Sequence, residues 1–394
     1  MENHFQFILT INCGSSSLKF GLYNSDNLQT EYLGSVNNIG TKNGLLKIIN
    51  SKNEIIESRD KDYKDIKTAV KEIIDWLNNH QPQIKIAAIG HRLVQGGPQH
   101  RQPEMITAQL LQQLKEYIYL APNHLPGELQ TINTTKAAFP AVPQVACFDT
   151  SFHRDMPLYA KNYPLPPAYT NKGLMRYGFH GLSYEYIMQK LIKEDKNILK
   201  KKIIIAHLGN GASMAAVKNG ICIDTTMGLS PIGGLVMGTR CGDLDPGVIL
   251  YLLKQTKLTP NQLDDLLSKQ SGLIAIAGSS DMQELINMEP VNVKAKEAVT
   301  VFCYYAKKFI GALATVMGGL DMLVFTGGIG ENAAIIRERI CNGMEFLGIE
   351  LSKNLNDAHQ PVISFIASPV LVRVLKTNEE IMIAQHTKNI CDIN

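Results

Sequence analysis

The sequence has few of the features that would mark a small cross-linked, fibrous or membrane-spanning protein. Its seven cysteines, Cys13, Cys147, Cys222, Cys241, Cys303, Cys341 and Cys391, are odd in number, far apart and never spaced Cys-x-x-Cys. That argues against a disulfide framework or a thiolate zinc site and fits a reducing cytoplasm. It also lacks an excess of one charge: 39 Lys and Arg oppose 36 Asp and Glu, a net charge of +3, with the basic residues scattered. No nucleic acid and no anionic membrane is expected as a partner. No apolar run reaches the ~18 residues that cross a bilayer, and the opening "MENHFQFILTIN" has no basic region followed by an apolar stretch. Also missing are two nucleotide signatures. No Gly-x-x-x-x-Gly-Lys-Ser/Thr occurs, and "GGIGEN" near residue 330 lacks the Gly-x-Gly-x-x-Gly spacing of a dinucleotide fold.

What is present is a chain of 394 residues, 45% apolar, long enough for two domains with substantial cores. Strand signals at residues 7–10, 17–23, 84–89, 142–147, 202–207, 213–217 and 322–326 alternate with helical periodicity at 62–79, 107–119, 183–192, 245–254, 293–317, 332–343 and 378–386. This alternation predicts an α/β protein. A shift of 195 residues lays "ILTINCGSSSLKFGLY" over "IIIAHLGNGASMAAVK", placing Asn12 on His207, Gly14 on Gly209, Ser16 on Gly211 and Leu22 on Val217. Each copy reads as strand, small polar turn, returning strand, and each opens about half the chain. The expected architecture is therefore two similar α/β halves with a ligand cleft between them. Prolines and turn residues thicken after Phe148, giving domains at 1–150 and 151–377, the first completed by a C-terminal helix within 378–394.

Four glycine-rich turns stand out: "NCGSSSLK", "HLGNGAS", "GTRCGDLDPG" and "FTGGIGEN". Small residues let a backbone approach a ligand closely, and successive turn amides make a nest for anions. A polyphosphate explains four such turns better than chance does. Two phosphate-gripping hairpins with a late glycine turn under the nucleoside is the arrangement of actin-like and sugar-kinase-like ATPases. Beside these turns lie proton-bearing and cationic side chains: His91, Arg92, His124, His153, Arg176, His180, His207 and Arg240. Phosphoryl transfer needs such positioned cations and a divalent metal more than it needs a covalent nucleophile.

At "NCGSSSLKF", "FDTSFH", "RYGFHG", "HLGNGAS", "DTTMGLSPIGGLVMGTRCGDLDP", "FTGGIGEN" and "TNEE" the sequence strongly resembles the acetate and propionate kinase family, from Ile8 to about Ala384. The resemblance implies two duplicated actin-like (ribonuclease H-like) ATPase domains and reversible transfer of the ATP phosphoryl group to acetate, giving acetyl phosphate. It further implies Mg2+, with Mn2+ as a substitute, ATP and ADP as co-substrates, and a cytoplasmic homodimer. Carried over by position, Asn12 and Glu379 hold magnesium and Lys19 meets the nucleotide phosphates. Arg92 and Arg240 face the carboxylate and the phosphoryl group, His180 stabilises the transition state with His124 and His207, and Asp149 is catalytically important. Ser15 to Ser17 form the small polar floor of the first turn.

By the same resemblance, nucleotide-binding turns fall at His207, Leu208, Gly209, Asn210 and Gly211, at Asp281, Met282 and Gln283, and at Gly328, Ile329, Gly330, Glu331 and Asn332. Val94, Phe179 and Pro231 match the pocket for the substrate's alkyl group. The acceptor is an anion above pH ~4, so no base is needed to activate it, and Asp149 is expected to orient a neighbouring cation or the metal shell. The chain departs from the family pattern at Gln95, Asn123, Leu182, Tyr184, Gly233 and Gln283. Propionate is the alternative substrate, and an actin- or chaperone-like ATPase switch is the more remote alternative.

Overall fold

The computed structural model describes residues 6–14, 16–80 and 84–393; Ser15, predicted to help floor the first turn, lies outside them. The chain divides into two compact units, Met1–Arg154 with Asn378–Asn394, and Asp155–Thr377. Among the described residues no disulfide forms.

The first unit is built on β1 (Gln6–Cys13), β2 (Leu18–Asn24), β3 (Thr30–Asn37), β4 (Gly44–Asn50), β5 (Ile55–Lys61), β6 (Lys85–Leu93), β7 (Glu104–Met105) and β8 (Gln144–Phe148), joined in the order β5-β4-β3-β2-β1-β6-β8-β7. Every residue of β1 after Gln6 is buried, as a strand covered on both faces requires. One face carries Leu9, Ile11, Phe20 and Leu22 against Ile73, Trp76 and Leu77 of α1 (Ile66–His80). The other carries Ile8 and Tyr23 against Ala384 of the C-terminal helix Glu379–Ile390. Gly90 of β6 lies directly under that helix, and a Cβ there would collide with Ile383 and Thr387. The helices α2 (Ala108–Glu116) and α3 (Leu125–Ala138) complete the unit.

The second unit holds β9 (Lys202–Leu208), β10 (Ala212–Lys218), β11 (Ile221–Thr225), β12 (Met322–Thr326) and β13 (Leu371–Val374), ordered β11-β10-β9-β12-β13. This repeats β3-β2-β1-β6-β8 pair by pair. An antiparallel hairpin lies beside a further antiparallel strand on one side and two parallel strands on the other. The echo predicted from sequence is thus carried by two hairpins of like topology. Their turns differ, however, because Cys13 pairs with Leu18 whereas Leu208 pairs with Ala212, one residue sooner. Asn12 and His207 do correspond, but the returning strands are offset by one, so Leu22 matches Ala216 rather than Val217.

The helix Val293–Met317 has the bounds read from its periodicity, with Asn292 as N-cap and left-handed Gly318 closing it. Among the described residues it is the one helix long and apolar enough to cross a membrane. In this unit it packs on the sheet, burying Phe302, Ala306, Ile310 and Leu313.

Candidate functional site

In the first unit the ends of three strands bring the predicted residues together. Asn12 near the end of β1 pairs across the hairpin with Lys19 of β2, and directly opposed residues share one face. Arg92, one residue from the end of β6, donates from Nε to Asp149 Oδ1 at 3.0 Å, from Nη2 to Asp149 Oδ2 at 2.5 Å, and from Nη1 to Asn12 Oδ1 at 2.9 Å. Asp149 stands immediately beyond β8, where its N–H donates to Leu93 O and prolongs the ladder. The Asn12 amide in turn donates to Glu379 and Glu380, each at 3.3 Å, at the first turn of the C-terminal helix. Burial opposes the Arg92 charge, but Asp149 and Glu379 outweigh it and hold the guanidinium above its ordinary value.

Next to this cluster, β6 runs into a turn carrying Val94 and Gln95. The Val94 N–H donates to both carboxyl oxygens of Glu128, at 3.1 and 3.3 Å, and Gln95 Oε1 accepts from Gly97 N at 2.8 Å. Glu128 lies one turn after His124, the N-cap residue of α3. It is almost fully buried, and that burial, only partly offset by Arg92 and the Val94 amide, raises its carboxyl to about 8.

In the second unit His180 occupies a left-handed conformation (φ 59°) at the start of the helix Gly181–Glu194. Its ring stacks on that of His207, centroids 4.4 Å apart, and its Nδ1 is hydrogen-bonded to Ser213 Oγ at 2.8 Å. His207 and Ser213 are cross-strand partners in the β9/β10 hairpin, so one hairpin holds His180 by both contacts. Behind Ser213 stands the buried Tyr184 hydroxyl at 2.5 Å, and behind His207 stand Ser183 and then Thr377, each step 2.8 Å. Arg240 donates to Pro231 O at 3.1 Å. A Cβ at Gly211 would stand 3.3 Å from His180 Nε2 and 3.5 Å from an Arg240 Nη. The turn, the imidazole and the guanidinium therefore crowd one spot.

The remaining turns of this unit meet there. A Cβ on Gly209 would lie 3.9 Å from Gly328 N, and one on Gly238 would strike Asn210 and approach Ser280 to 3.3 Å. Asp281 caps the short helix Met282–Met288, accepting from Gln283 N and Glu284 N. The stretch Gly327–Asn332, expected to be an open turn, is a short helix. The Glu331 carboxylate accepts from Gly327 N at 3.0 Å and Thr377 N at 3.1 Å. Fully buried Arg337 donates to the carbonyls of Gly330 and Glu331 at the other end.

The acetokinase family matches residues 7–385 of the chain. This chain belongs to the acetokinase family. It is 43% identical to an acetate kinase of Thermoanaerobacterium thermosaccharolyticum, over 98% of this chain and 99% of that protein. Among solved structures it is similar to a propionate kinase from Francisella tularensis (38% identity, 98% of this chain and 100% of that one, TM-score 0.91). A second is the Porphyromonas gingivalis acetate kinase (37% identity, 98% and 99%, TM-score 0.86).

Within this acetokinase several residues singled out for charge have structural duties. His91 is buried and hydrogen-bonded to Gln144 at 2.8 Å, and burial lowers it to about 4, so it is a neutral core imidazole. Arg176 spends its guanidinium on the carbonyls of Ala160, Thr225, Thr226 and Met227. Leu208 and Met282 are buried, which leaves their backbone for any ligand contact. Conversely, Glu128, Ser183, Ser213, Arg337 and Thr377 were not foreseen. The pairing of His207 with Ser213 was the one available signal, since a serine opposite a histidine in a hairpin can hold a ring beside it.

Proposed function

We propose that this acetokinase transfers the γ-phosphoryl group of ATP to a short carboxylate, acetate first, in a reversible reaction. A carboxylate oxygen bonds to the γ-phosphorus as the bridging bond to the β-phosphate breaks, leaving acyl phosphate and ADP. The observation that carries the reading is Arg92, held by Asp149 through two hydrogen bonds and by Asn12 through a third. The acceptor is ionised above pH ~4, so the obstacle is repulsion between anions, which a held guanidinium answers with its charge and with the Nη hydrogens that Asp149 and Asn12 leave over. Asp149 is then the residue that aims Arg92, not a base. Arg240 faces the phosphoryl group, and His180, steadied by His207 and Ser213, stabilises its transition state together with His124.

Lys19, the stretch His207–Gly211, the helix start Asp281–Gln283 and the helical turn Gly328–Asn332 serve ATP. Val94, Phe179 and Pro231 receive the alkyl group. The oxygen-only pair Asn12 and Glu379 fits Mg2+, which takes few protein oxygens beside substrate phosphates. When bound, the metal would neutralise phosphate charge. The repeated five-strand pattern supports duplication of one actin-like, ribonuclease H-like unit. The helix Pro246–Gln255 supports a homodimer, since it is largely apolar and Val248, Leu250 and Tyr251 are exposed.

Propionate is the second reading, favoured by the likeness to the Francisella propionate kinase. A hydroxamate assay with acetate, propionate and butyrate decides between them. A propionate kcat/KM about tenfold above that for acetate, within the ~1–3 kcal/mol that one methylene can contribute, reverses the order.

A further inference from the structure

Glu128 is a buried acid in the first unit that the proposed chemistry does not use. Its partner is the Val94 amide, two residues from Arg92, and both of its oxygens face that one N–H at 3.1 and 3.3 Å. The three residues Arg92, Leu93 and Val94 are thereby fixed in succession: the Arg92 side chain on Asp149, the Leu93 carbonyl on the Asp149 N–H, the Val94 N–H on Glu128. Beyond them the turn closes on itself through Gln95 Oε1 and left-handed Gly97.

We propose that Glu128 is a positioning residue for the carboxylate substrate, holding the Val94 amide and so fixing the turn that presents Val94 next to Arg92. The proposal rests on the carboxylate-kinase reading and deepens it. A buried acid in this place has two effects to separate. As a neutral acid it accepts the amide bond and leaves Arg92 to anionic ligands. Once ionised it becomes a further anion near a guanidinium already facing Asp149 and Glu379, and a carboxylate substrate is repelled.

The groups that act on Glu128 are Arg92 of β6, Asp149 beyond β8 and the Cys13 thiol of β1. On its outer side α3 meets Lys67, Lys71 and Asp75 of α1 and Lys115 of α2, all exposed. With its carboxyl raised to about 8, the neutral fraction falls about tenfold between pH 7 and pH 9. Apparent affinity falls with the competent fraction.

The test is acetyl phosphate formation by the full-length enzyme with ATP and Mg2+, as KM for acetate and kcat from pH 6.5 to 9, for wild type, Glu128→Gln and Glu128→Ala. Expected are a wild-type acetate KM rising about tenfold from pH 7 to 9 and a flat KM in Glu128→Gln. In Glu128→Ala, KM rises at least tenfold at pH 7 with kcat changed less than threefold. Glu128→Gln keeps the acceptor and cannot ionise, so it remains informative if the alanine variant fails to fold. A KM that rises equally in wild type and Glu128→Gln overturns the inference, as does an unaltered KM in a folded Glu128→Ala. Absence of acyl phosphate from the wild type sinks the carboxylate-kinase reading itself, and this inference with it.

Discussion

Replacing Asp149 by Asn tests whether a charged carboxylate is required to aim Arg92. The side chain is 1% exposed and that of Arg92 15%, so water cannot substitute for the lost partner. Asparagine keeps one oxygen for the Arg92 fork and turns the other position into a donor facing a donor. A hydrogen bond to a charged group contributes about 1.5–3 kcal/mol. Glu379, 3.9 Å from Arg92 Nε, retains part of the charge compensation. At about 1.4 kcal/mol per tenfold, the expected fall in kcat/KM for acetate is about ten- to 150-fold. The assay is hydroxylamine trapping of acyl phosphate at saturating Mg-ATP, with thermal unfolding followed in parallel to separate misaimed Arg92 from loss of fold. Asp149→Asn retaining more than about a third of wild-type kcat/KM would mean that Arg92 needs no charged partner to aim it. Arg92→Lys should lose as much, because an ammonium cannot fork.

Gly211→Ala should lower kcat several-fold with little change in unfolding temperature, since the new methyl would stand 3.3 Å from His180 Nε2 and near Arg240; an unchanged kcat would place those groups elsewhere in the reaction. Tyr184→Phe removes the hydroxyl behind Ser213, and a hydrogen bond of about 0.5–1.5 kcal/mol predicts up to a tenfold drop in kcat. Ser213→Ala, acting on His180 directly, should cost more, and the double variant should cost less than the two combined. For stability, the Glu128 carboxyl is near 4.5 unfolded and about 8 folded. Between those values the native state keeps a proton the unfolded state loses, so stability falls as pH rises through that window. The slope is at most on the order of 1.4 kcal/mol per pH unit. Urea denaturation at pH 5 and pH 8 should show this decline in wild type and less of it in Glu128→Gln.

How much could be read from the chain depended on whether local pattern and tertiary role agreed. The strands β1, β9 and β12 are largely buried apolar runs and could be read directly, whereas the apolar signal of β6 stops at Ile89 and the strand itself continues through Gly90, His91 and Arg92 to Leu93. In contrast, β5, with sequence IIESRDK, is exposed at six of its seven positions, and its strand identity comes from pairing with β4. The helix α3 gives no clear signal in the sequence: Pro126 and Gly127 lie at its start, and its buried face mixes Glu128, Thr131 and Thr135 with Leu125, Leu129 and Ile132. Polar residues turned inward erase the apolar stripe on which a helix is recognised, and the same inversion hid Glu128. The offset between the hairpins stayed invisible because a turn shorter by one residue leaves both strands apolar. Arg176 and Arg240 cannot be told apart by local sequence, as both are arginines beside glycines. Only their partners, four backbone carbonyls against the neighbourhood of His180 and Gly211, separate a structural guanidinium from a candidate catalytic one.

The most direct test of the account is acyl phosphate formation itself. Purified protein is incubated with ATP, Mg2+ and acetate, propionate or butyrate in the presence of hydroxylamine, and ADP release is followed with and without the acid. A carboxylate kinase gives acid-dependent ADP release matched by hydroxamate, greatest for acetate and largely lost in Arg240→Ala. ADP release that is independent of any acid, with no trapped acyl phosphate, would contradict it.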